Sequence, residues 1–132
     1  APAGTVLLGH KDLIKNARRA RKILGGAMRQ AGVIAAAGLY ALENNIERLA
    51  EDHANAERLA RGLRNAGYEI EGPHTNMIFV RIAPGKVSLL KEKFEKENIL
   101  ILPGARLRLV THLDVDAAGI ERALDAFRPL AA

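Results

Sequence analysis

The hydrophobic pattern of the first third of the chain predicts a short strand followed by two helices. Thr5–Leu8 forms a short apolar run that predicts a strand. His10–Leu24 spaces its apolar residues at helical intervals, and Gly25 is placed to end this helix in a left-handed cap. Met28–Leu42 consists mainly of small and apolar residues. This composition predicts a second helix, buried between layers or between subunits.

The next segment predicts a long amphipathic helix. Asn44 and Glu47 have the spacing of a capping pair at its start, and Gly67 marks its end. Acidic and basic residues alternate on the side predicted to face solvent. The predicted inner face consists of Ile46, Leu49, Ala50, His53, Ala56, Ala60 and Leu63.

Beyond Gly67 the pattern changes to alternation, which predicts strands separated by turns and helices. Gly72-Pro73-His74 predicts a turn, and Asp114 or Asp116 is expected to cap the last helix. The predicted strands are Tyr68–Glu71, Asn76–Ile82, Ile99–Leu102 and Arg106–Thr111, with a helix over Val87–Glu97. Residues 1–43 therefore look like one part of something larger, and residues 44–132 like a self-contained α/β layer of helices against a mostly antiparallel sheet.

Composition narrows the class of protein. The chain has 132 residues, of which 48% are hydrophobic and 27% charged, as expected for one globular domain. It has no cysteine, so disulfides and thiolate metal sites are excluded. The longest nearly apolar run, Ala31–Leu42, is 12 residues, whereas a membrane span needs about 20. These features predict a soluble, cytoplasmic protein.

Positive charge is concentrated near the start of the chain. The net charge is +5, which makes nucleic acid a candidate partner, although an aromatic content of 4% leaves few residues for base stacking. The cluster permits either a solvated helix face or an anion site or subunit contact. It consists of Lys11, Lys15, Arg18, Arg19, Arg21 and Lys22, with Asp12 as the lone acid.

Two features are candidate anion sites. Arg106 and Arg108 lie two apart on a predicted strand and therefore share a face, where a guanidinium fork would match a carboxylate. Two surface arginines on an edge strand are the alternative. Lys22 and Arg29 flank the Gly25-Gly26 pair, where backbone N–H groups and a helix start could hold a phosphate. A plain turn between helices is the alternative, because no P-loop pattern follows.

No catalytic constellation is visible in the sequence. The four histidines have no metal-ligand spacing, so no metal site is predicted. His53 is expected to be packed, and His112 to serve in a turn or cap. The single serine, Ser88, lies in no nucleophile-elbow context.

Five stretches carry a family resemblance that covers essentially all 132 residues. The main ones are GTVLLG at 4–9, RKILGGAMRQAG at 21–32 and RLVTHLDV at 108–115. LAEDHANA at 49–56 and TNMIFV at 75–80 add to them. In these stretches the chain resembles the C-terminal portion of the low-specificity threonine aldolases, which act on L-threonine and L-allo-threonine and belong to the fold-type I enzymes that use pyridoxal 5′-phosphate (PLP).

The resemblance implies an α/β fold: an α+β C-terminal small domain preceded by one strand and helices of the large PLP-binding domain. It implies a lyase that cleaves threonine or allo-threonine to glycine and acetaldehyde with PLP as cofactor. By position, Arg108 would hold the substrate α-carboxylate. Lys22 and Arg29 would lie near the phosphate or substrate, in an active site shared with a neighbouring subunit. The family assembles as dimers paired into tetramers.

Two departures from the family pattern qualify this expectation. Ala27 stands where the family often has a third glycine. The family's Schiff-base lysine falls before the position of Ala1, and Lys11, Lys15 and Lys22 do not match it. The expectation is therefore a C-terminal fragment of an aldolase, inactive alone, with neither nucleic acid nor membrane expected as a partner. The alternatives are a stand-alone basic binding domain and an oligomerisation module.

Overall fold

The computed structural model describes residues 5–130, and the chain forms two compact units, Ala1–Glu47 and Arg48–Ala132. The first unit contains two helices, α1 (Lys11–Ile23) and α2 (Gly32–Asn44). The second unit contains, in chain order, α3 (Leu49–Asn65), β1 (Ile70–His74), β2 (Met77–Arg81), α4 (Val87–Lys96), β3 (Arg106–Val110) and α5 (Ala117–Phe127). Short 3₁₀ turns cover Pro84–Lys86 and Arg128–Leu130. The α+β class predicted from the sequence is confirmed.

The first unit corrects one predicted strand and one helix boundary. Thr5–Leu8 is not a strand, and Val6 and Leu8 are largely exposed. A strand needs a neighbour to satisfy its backbone groups, and the described residues of this unit contain no strand. Helix α2 begins at Gly32, four residues after the predicted Met28. Neither α1 nor α2 has a buried side chain in the described chain.

The second unit is built on a three-stranded antiparallel sheet in the order β1-β2-β3. In the central register Val80 lies opposite Leu107, and Phe79 lies opposite Arg108. Val80 and Leu107 are fully buried, whereas the next pair along faces outward. Alternation along each strand therefore gives the sheet one apolar inner face and one outer face that carries both apolar and charged side chains.

Helices α3, α4 and α5 contribute to the core of this unit together with the inner face of the sheet. Phe94 and Phe127 meet edge to face with ring centroids 4.7 Å apart, and the Tyr68 hydroxyl donates to the Phe127 carbonyl at 2.9 Å. Burial raises the pKa of Tyr68. The largest fully buried side chains are Phe94, Phe127, Leu63, Ile78, Leu90, Leu107, Ile120 and Val80.

Helix α3 differs from its predicted form at the start and in its inner face. It begins at Leu49 with no side-chain cap, and the Asn44 side chain donates to the Tyr40 carbonyl instead. Asp52, predicted to face solvent, is buried, whereas His53, predicted to be packed, is exposed. The buried residues are Asp52, Ala56, Leu59, Ala60 and Leu63.

The remaining strands and turns match the alternation pattern in part. β1 continues through Gly72-Pro73, which were predicted as a turn, and the chain reverses at Thr75 and Asn76. Ile99–Leu102 is not a strand: Leu100 and Leu102 are almost fully exposed and only the two isoleucines pack against the core. Within residues 5–130, no helix has the length and apolarity needed to cross a bilayer.

Candidate active-site surface on the outer sheet face

The outer face of the sheet carries both arginines of β3. Leu107 is buried between Arg106 and Arg108, and both arginines are exposed. The prediction that these two arginines share a face is confirmed, and it follows from the two-residue period of a strand. Phe79 and Arg81 of β2 lie opposite Arg108 and Arg106, respectively.

Arg106 is engaged in two interactions on this face. Its Nε and Nη2 atoms donate to the two carboxylate oxygens of Glu71 at 3.2 and 2.8 Å. Its guanidinium also lies over the Phe79 ring, 3.7 Å from the centroid, which is a cation–π geometry. The hydrogen bond from Arg106 lowers the pKa of the Glu71 carboxyl. The charge of Arg106 is therefore matched within the fold.

Arg81, at the same end of the sheet, is also paired. Its Nε atom lies 3.1 Å from a carboxylate oxygen of Glu69. A shallow depression in this region is lined by both arginine–glutamate pairs, and Arg108 does not line it. The depression is therefore bordered by charges that already have partners.

Arg108 stands apart from these pairs. It is exposed on β3, and within residues 5–130 it makes no ion pair and no side-chain hydrogen bond with another residue. Its five N–H donors are accessible to an anionic ligand. This arrangement suits the binding of a carboxylate, which takes two parallel hydrogen bonds from a guanidinium.

A buried polar network anchors the end of β3, three residues beyond Arg108. The Thr111 hydroxyl donates to the Asp52 carbonyl at 2.6 Å, and the Thr111 N–H donates to the Asn76 carbonyl at 3.0 Å. The Asn76 side chain donates back to the Thr111 carbonyl at 2.7 Å. This network ties β3 to the β1–β2 turn and to α3, so Arg108 is carried on a fixed backbone. This network was not predicted from the sequence, because its partners lie 35 and 59 residues apart along the chain.

An ion pair at the start of α3 adjoins this network. The Arg48 guanidinium donates to both carboxylate oxygens of Asp52, at 2.9 and 3.2 Å. The hydrogen bond to Asp52 raises the pKa of Arg48. Since Asp52 is buried, this bidentate pair supplies the partner that a carboxylate needs away from water.

The Gly25-Gly26 loop caps the C-terminal end of α1. Gly25 has a φ of +78°, its N–H donates to the Lys22 carbonyl at 3.2 Å, and the Gly26 N–H donates to the Arg21 carbonyl at 2.8 Å. These two bonds form a Schellman cap, and the predicted left-handed end of α1 is confirmed. Both amides are therefore occupied within the cap.

The two cations that flank this loop remain available. Lys22 lies in the last turn of α1, and Arg29 lies in a turn before α2. Both are exposed, and within the described part of the chain neither forms an ion pair. Both cations are therefore accessible to an anion.

The histidines form no metal centre. Residues 5–130 contain no group of three or more His, Asp or Glu side chains placed to hold a metal ion. His112 accepts a hydrogen bond from the Asp114 N–H at its Nδ1 atom, at 3.3 Å. This bond confirms the turn role predicted for His112.

Comparison with known families now defines the class of protein. The sequence model of the beta-eliminating lyase family matches residues 1–84, and the chain belongs to this family. The threonine-aldolase resemblance is confirmed by its relatives. The low specificity L-threonine aldolase of Escherichia coli K12 is 50% identical over 114 residues, which are 86% of this chain and 34% of that protein.

More distant relatives cover nearly the whole chain. Low-specificity L-threonine aldolase 1 of Arabidopsis thaliana is 35% identical over 136 residues, which are 97% of this chain and 38% of the plant protein. An alanine racemase of Cochliobolus carbonum is 34% identical over 142 residues, which are 98% of this chain and 36% of the fungal protein. The chain thus spans between a third and two fifths of the length of these relatives.

Proposed function

We propose that this chain forms the C-terminal part of a PLP-dependent low-specificity threonine aldolase and that Arg108 binds the substrate α-carboxylate. The reaction is cleavage of L-threonine or L-allo-threonine to glycine and acetaldehyde. The observation that carries the proposal is the guanidinium of Arg108, which has no partner within residues 5–130, beside two arginines whose charges are matched by glutamates. The relatives from E. coli and A. thaliana support the reaction class.

The setting of Arg108 suits the orientation of a small substrate. A planar guanidinium fixes a carboxylate in one plane through two hydrogen bonds. Rigid presentation matters because the amino acid must meet the reacting groups in a single orientation. The bonds of Thr111 to Asp52 and Asn76 hold the strand that carries Arg108.

Lys22 and Arg29 fit the phosphate of PLP by charge. Both side chains are exposed and unpaired within residues 5–130, and both belong to the segment that resembles the aldolases. When bound, PLP supplies the electron sink for cleavage of the carbon–carbon bond. In this proposal the two cations hold and orient the phosphate in an active site shared with a neighbouring subunit. The family's lysine that binds PLP covalently falls before residue 1.

The proposal includes assembly into a homo-oligomer in the cytoplasm. Helix α2 supports assembly because it is largely apolar yet buries no side chain in the described chain. Val33, Leu39 and Leu42 are each more than half exposed. A helix that is apolar on most of its surface is normally covered by protein.

The carboxylate role can be tested in a chimaera in which this chain replaces the matching region of the E. coli relative. We expect Arg108→Ala to lower kcat/KM for threonine about 10- to 100-fold, because a charged hydrogen-bonding group is worth roughly 1.5–3 kcal/mol. Arg108→Lys should recover only part of the loss, because an ammonium cannot make the bidentate contact. Steady-state kinetics of acetaldehyde release would measure both variants.

Arg81→Ala is the matched control, because it removes an exposed arginine from the same face that already has a glutamate partner. Its kcat/KM should stay close to that of the unmodified chimaera. If Arg108→Ala retains full activity in a folded chimaera, the assignment of Arg108 is wrong. If the chimaera folds, binds PLP and cleaves no β-hydroxy amino acid, the reaction class is wrong.

A further inference from the structure

The outer sheet face presents several guanidinium groups at close spacing. Arg106 and Arg108 are two residues apart on β3, so their Cα atoms are separated by about 6.6 Å. Glu71 on β1 binds Arg106 through both carboxylate oxygens. Of these two arginines, only Arg108 is therefore available to a ligand, although the strand carries two guanidinium groups and could bind two carboxylates.

We propose that Glu71 makes this surface selective for amino acids with a single carboxylate by occupying Arg106. The inference rests on the proposed function of Arg108 and adds a substrate class to it. Neutral β-hydroxy amino acids such as threonine are accepted. Dicarboxylic β-hydroxy amino acids such as 3-hydroxyaspartate are rejected.

Competition within the fold is the first reason for this selectivity. The Arg106 guanidinium is held by a bidentate contact to Glu71 and by stacking on Phe79 at 3.7 Å. Bidentate pairs of this kind have a defined geometry, unlike most surface ion pairs. A second substrate carboxylate would have to displace Glu71 before it could use Arg106.

Repulsion is the second reason. A substrate carboxylate held at Arg108 places any second carboxylate within reach of the ionised Glu71 side chain. Glu71, Phe79 and Arg108 lie opposite one another across the three strands, so the Cα atoms of Glu71 and Arg108 are about 10 Å apart. This separation is close to the screening length of about 8 Å in physiological salt, so the repulsion is only partly screened. The hydrogen bond from Arg106 lowers the pKa of Glu71, so Glu71 stays ionised at neutral pH.

A binding experiment on the whole 132-residue chain tests this inference directly. The probes are acetate and succinate, followed through the ¹⁵N–¹H resonances of the arginine Nε groups. In the unmodified chain we expect both acids to perturb Arg108, with succinate binding more weakly than acetate, and neither acid to perturb Arg106. In Glu71→Gln, succinate should perturb both arginines and bind about 10-fold more tightly than acetate, since two charged contacts replace one.

Three variants separate this effect from a general change of charge. Glu71→Asp keeps the negative charge and should retain discrimination against succinate. Glu121→Gln changes the net charge equally at an exposed position of α5 and should match the unmodified chain. The double variant Glu71→Gln with Arg106→Gln should lose the gained affinity. The same spectra show whether each variant is folded.

The inference is overturned if the succinate-to-acetate affinity ratio is the same in Glu71→Gln and the unmodified chain, or if Arg106 already responds to succinate in the latter. In the chimaera, Glu71→Gln should raise kcat/KM for 3-hydroxyaspartate relative to threonine about 10-fold. If this ratio is unchanged in the chimaera while activity still depends on Arg108, the proposed role of Glu71 is wrong and that of Arg108 stands. Threonine cleavage that is indifferent to Arg108 rejects the proposed function itself.

Discussion

At the scale of single residues, one strand holds two arginines in different electrostatic settings. Arg106 is matched by Glu71, which the chain brings from 35 residues away, whereas Arg108 has no acidic partner in the described chain. The sequence could predict that both arginines share a face, because that depends only on strand alternation. It could not predict which arginine would be paired, because the register places Glu71 level with Phe79 and Arg108, and the side-chain conformations join Glu71 to Arg106 instead.

Asp52 shows the same limit of prediction from sequence, here at a buried position. The alternation of acids and bases along α3 predicted a solvated carboxylate, but the helix turns Asp52 inward and His53 outward. The misassignment is by one position, or about 100° around a helix. The neighbouring sequence does not show that Arg48 is also turned inward, where it pairs with Asp52.

We expect Asp52→Ala to lower the free energy of unfolding by about 1–3 kcal/mol, because the Arg48 guanidinium, itself only 20% exposed, loses its bidentate partner. Glu51→Ala is the control, because Glu51 is 73% exposed and 3.8 Å from the same guanidinium. It should leave the stability unchanged within error. Urea unfolding followed by circular dichroism would measure both, and equal losses would contradict the role of Asp52.

At the scale of elements, three helices end in the same way. Gly25, Gly67 and Asn98 each adopt a positive φ directly after a helix, and each begins a pair of backbone bonds to the last turn. The two glycine ends were predicted from the sequence, because glycine adopts this conformation without strain. The asparagine end was not, although asparagine is the next most tolerant residue at such positions.

Gly67→Ala should destabilise the chain by about 1–2 kcal/mol, the cost of placing a Cβ atom in the left-handed region. The cost is conformational, because an added Cβ at Gly67, whose φ is +90°, meets no atom within 4 Å. Gly85→Ala is the matched control, since it has equal space and no positive φ. A thermal melt that ranks the two variants equally would contradict this account of the cap.

Helices were predicted more reliably than strands, for a physical reason. The spans of α1 and α4 match their predicted spans closely, and α5 is capped by Asp116, one of its two predicted caps. Helix hydrogen bonds are local, so their signals lie in the segment itself. Strand pairing requires a partner elsewhere in the chain. The apolar runs Thr5–Leu8 and Ile99–Leu102 have the composition of strands but pair with none in the described chain.

At the scale of the whole molecule, burial divides unevenly between the two units. The second unit has a contiguous core that joins α3, α4 and α5 to the sheet, whereas α1 and α2 have no buried residue. Short helices without a packed face are marginally stable in water. Composition could not predict this difference, because the apolar residues of α2 match those of an ordinary core helix.

Hydrogen exchange should reveal the difference between the units. We expect the amides of α3 and β2 to exchange at rates set by global unfolding, and those of α1 and α2 to exchange at least about 100-fold faster. Exchange followed by mass spectrometry at low protein concentration would measure both sets in one sample. Equal protection of α2 and α3 would show that α2 is covered by an interaction outside the described structure.

Alternation along β3 has one further consequence, which concerns insertions and deletions. Removing or adding a single residue between Leu107 and the anchored Thr111 would invert the strand: Leu107 would face water and the arginine side chains would enter the core. A change of two residues would preserve both faces. The length of this strand is thus constrained in parity, because only changes of an even number of residues keep Arg108 on the outer face.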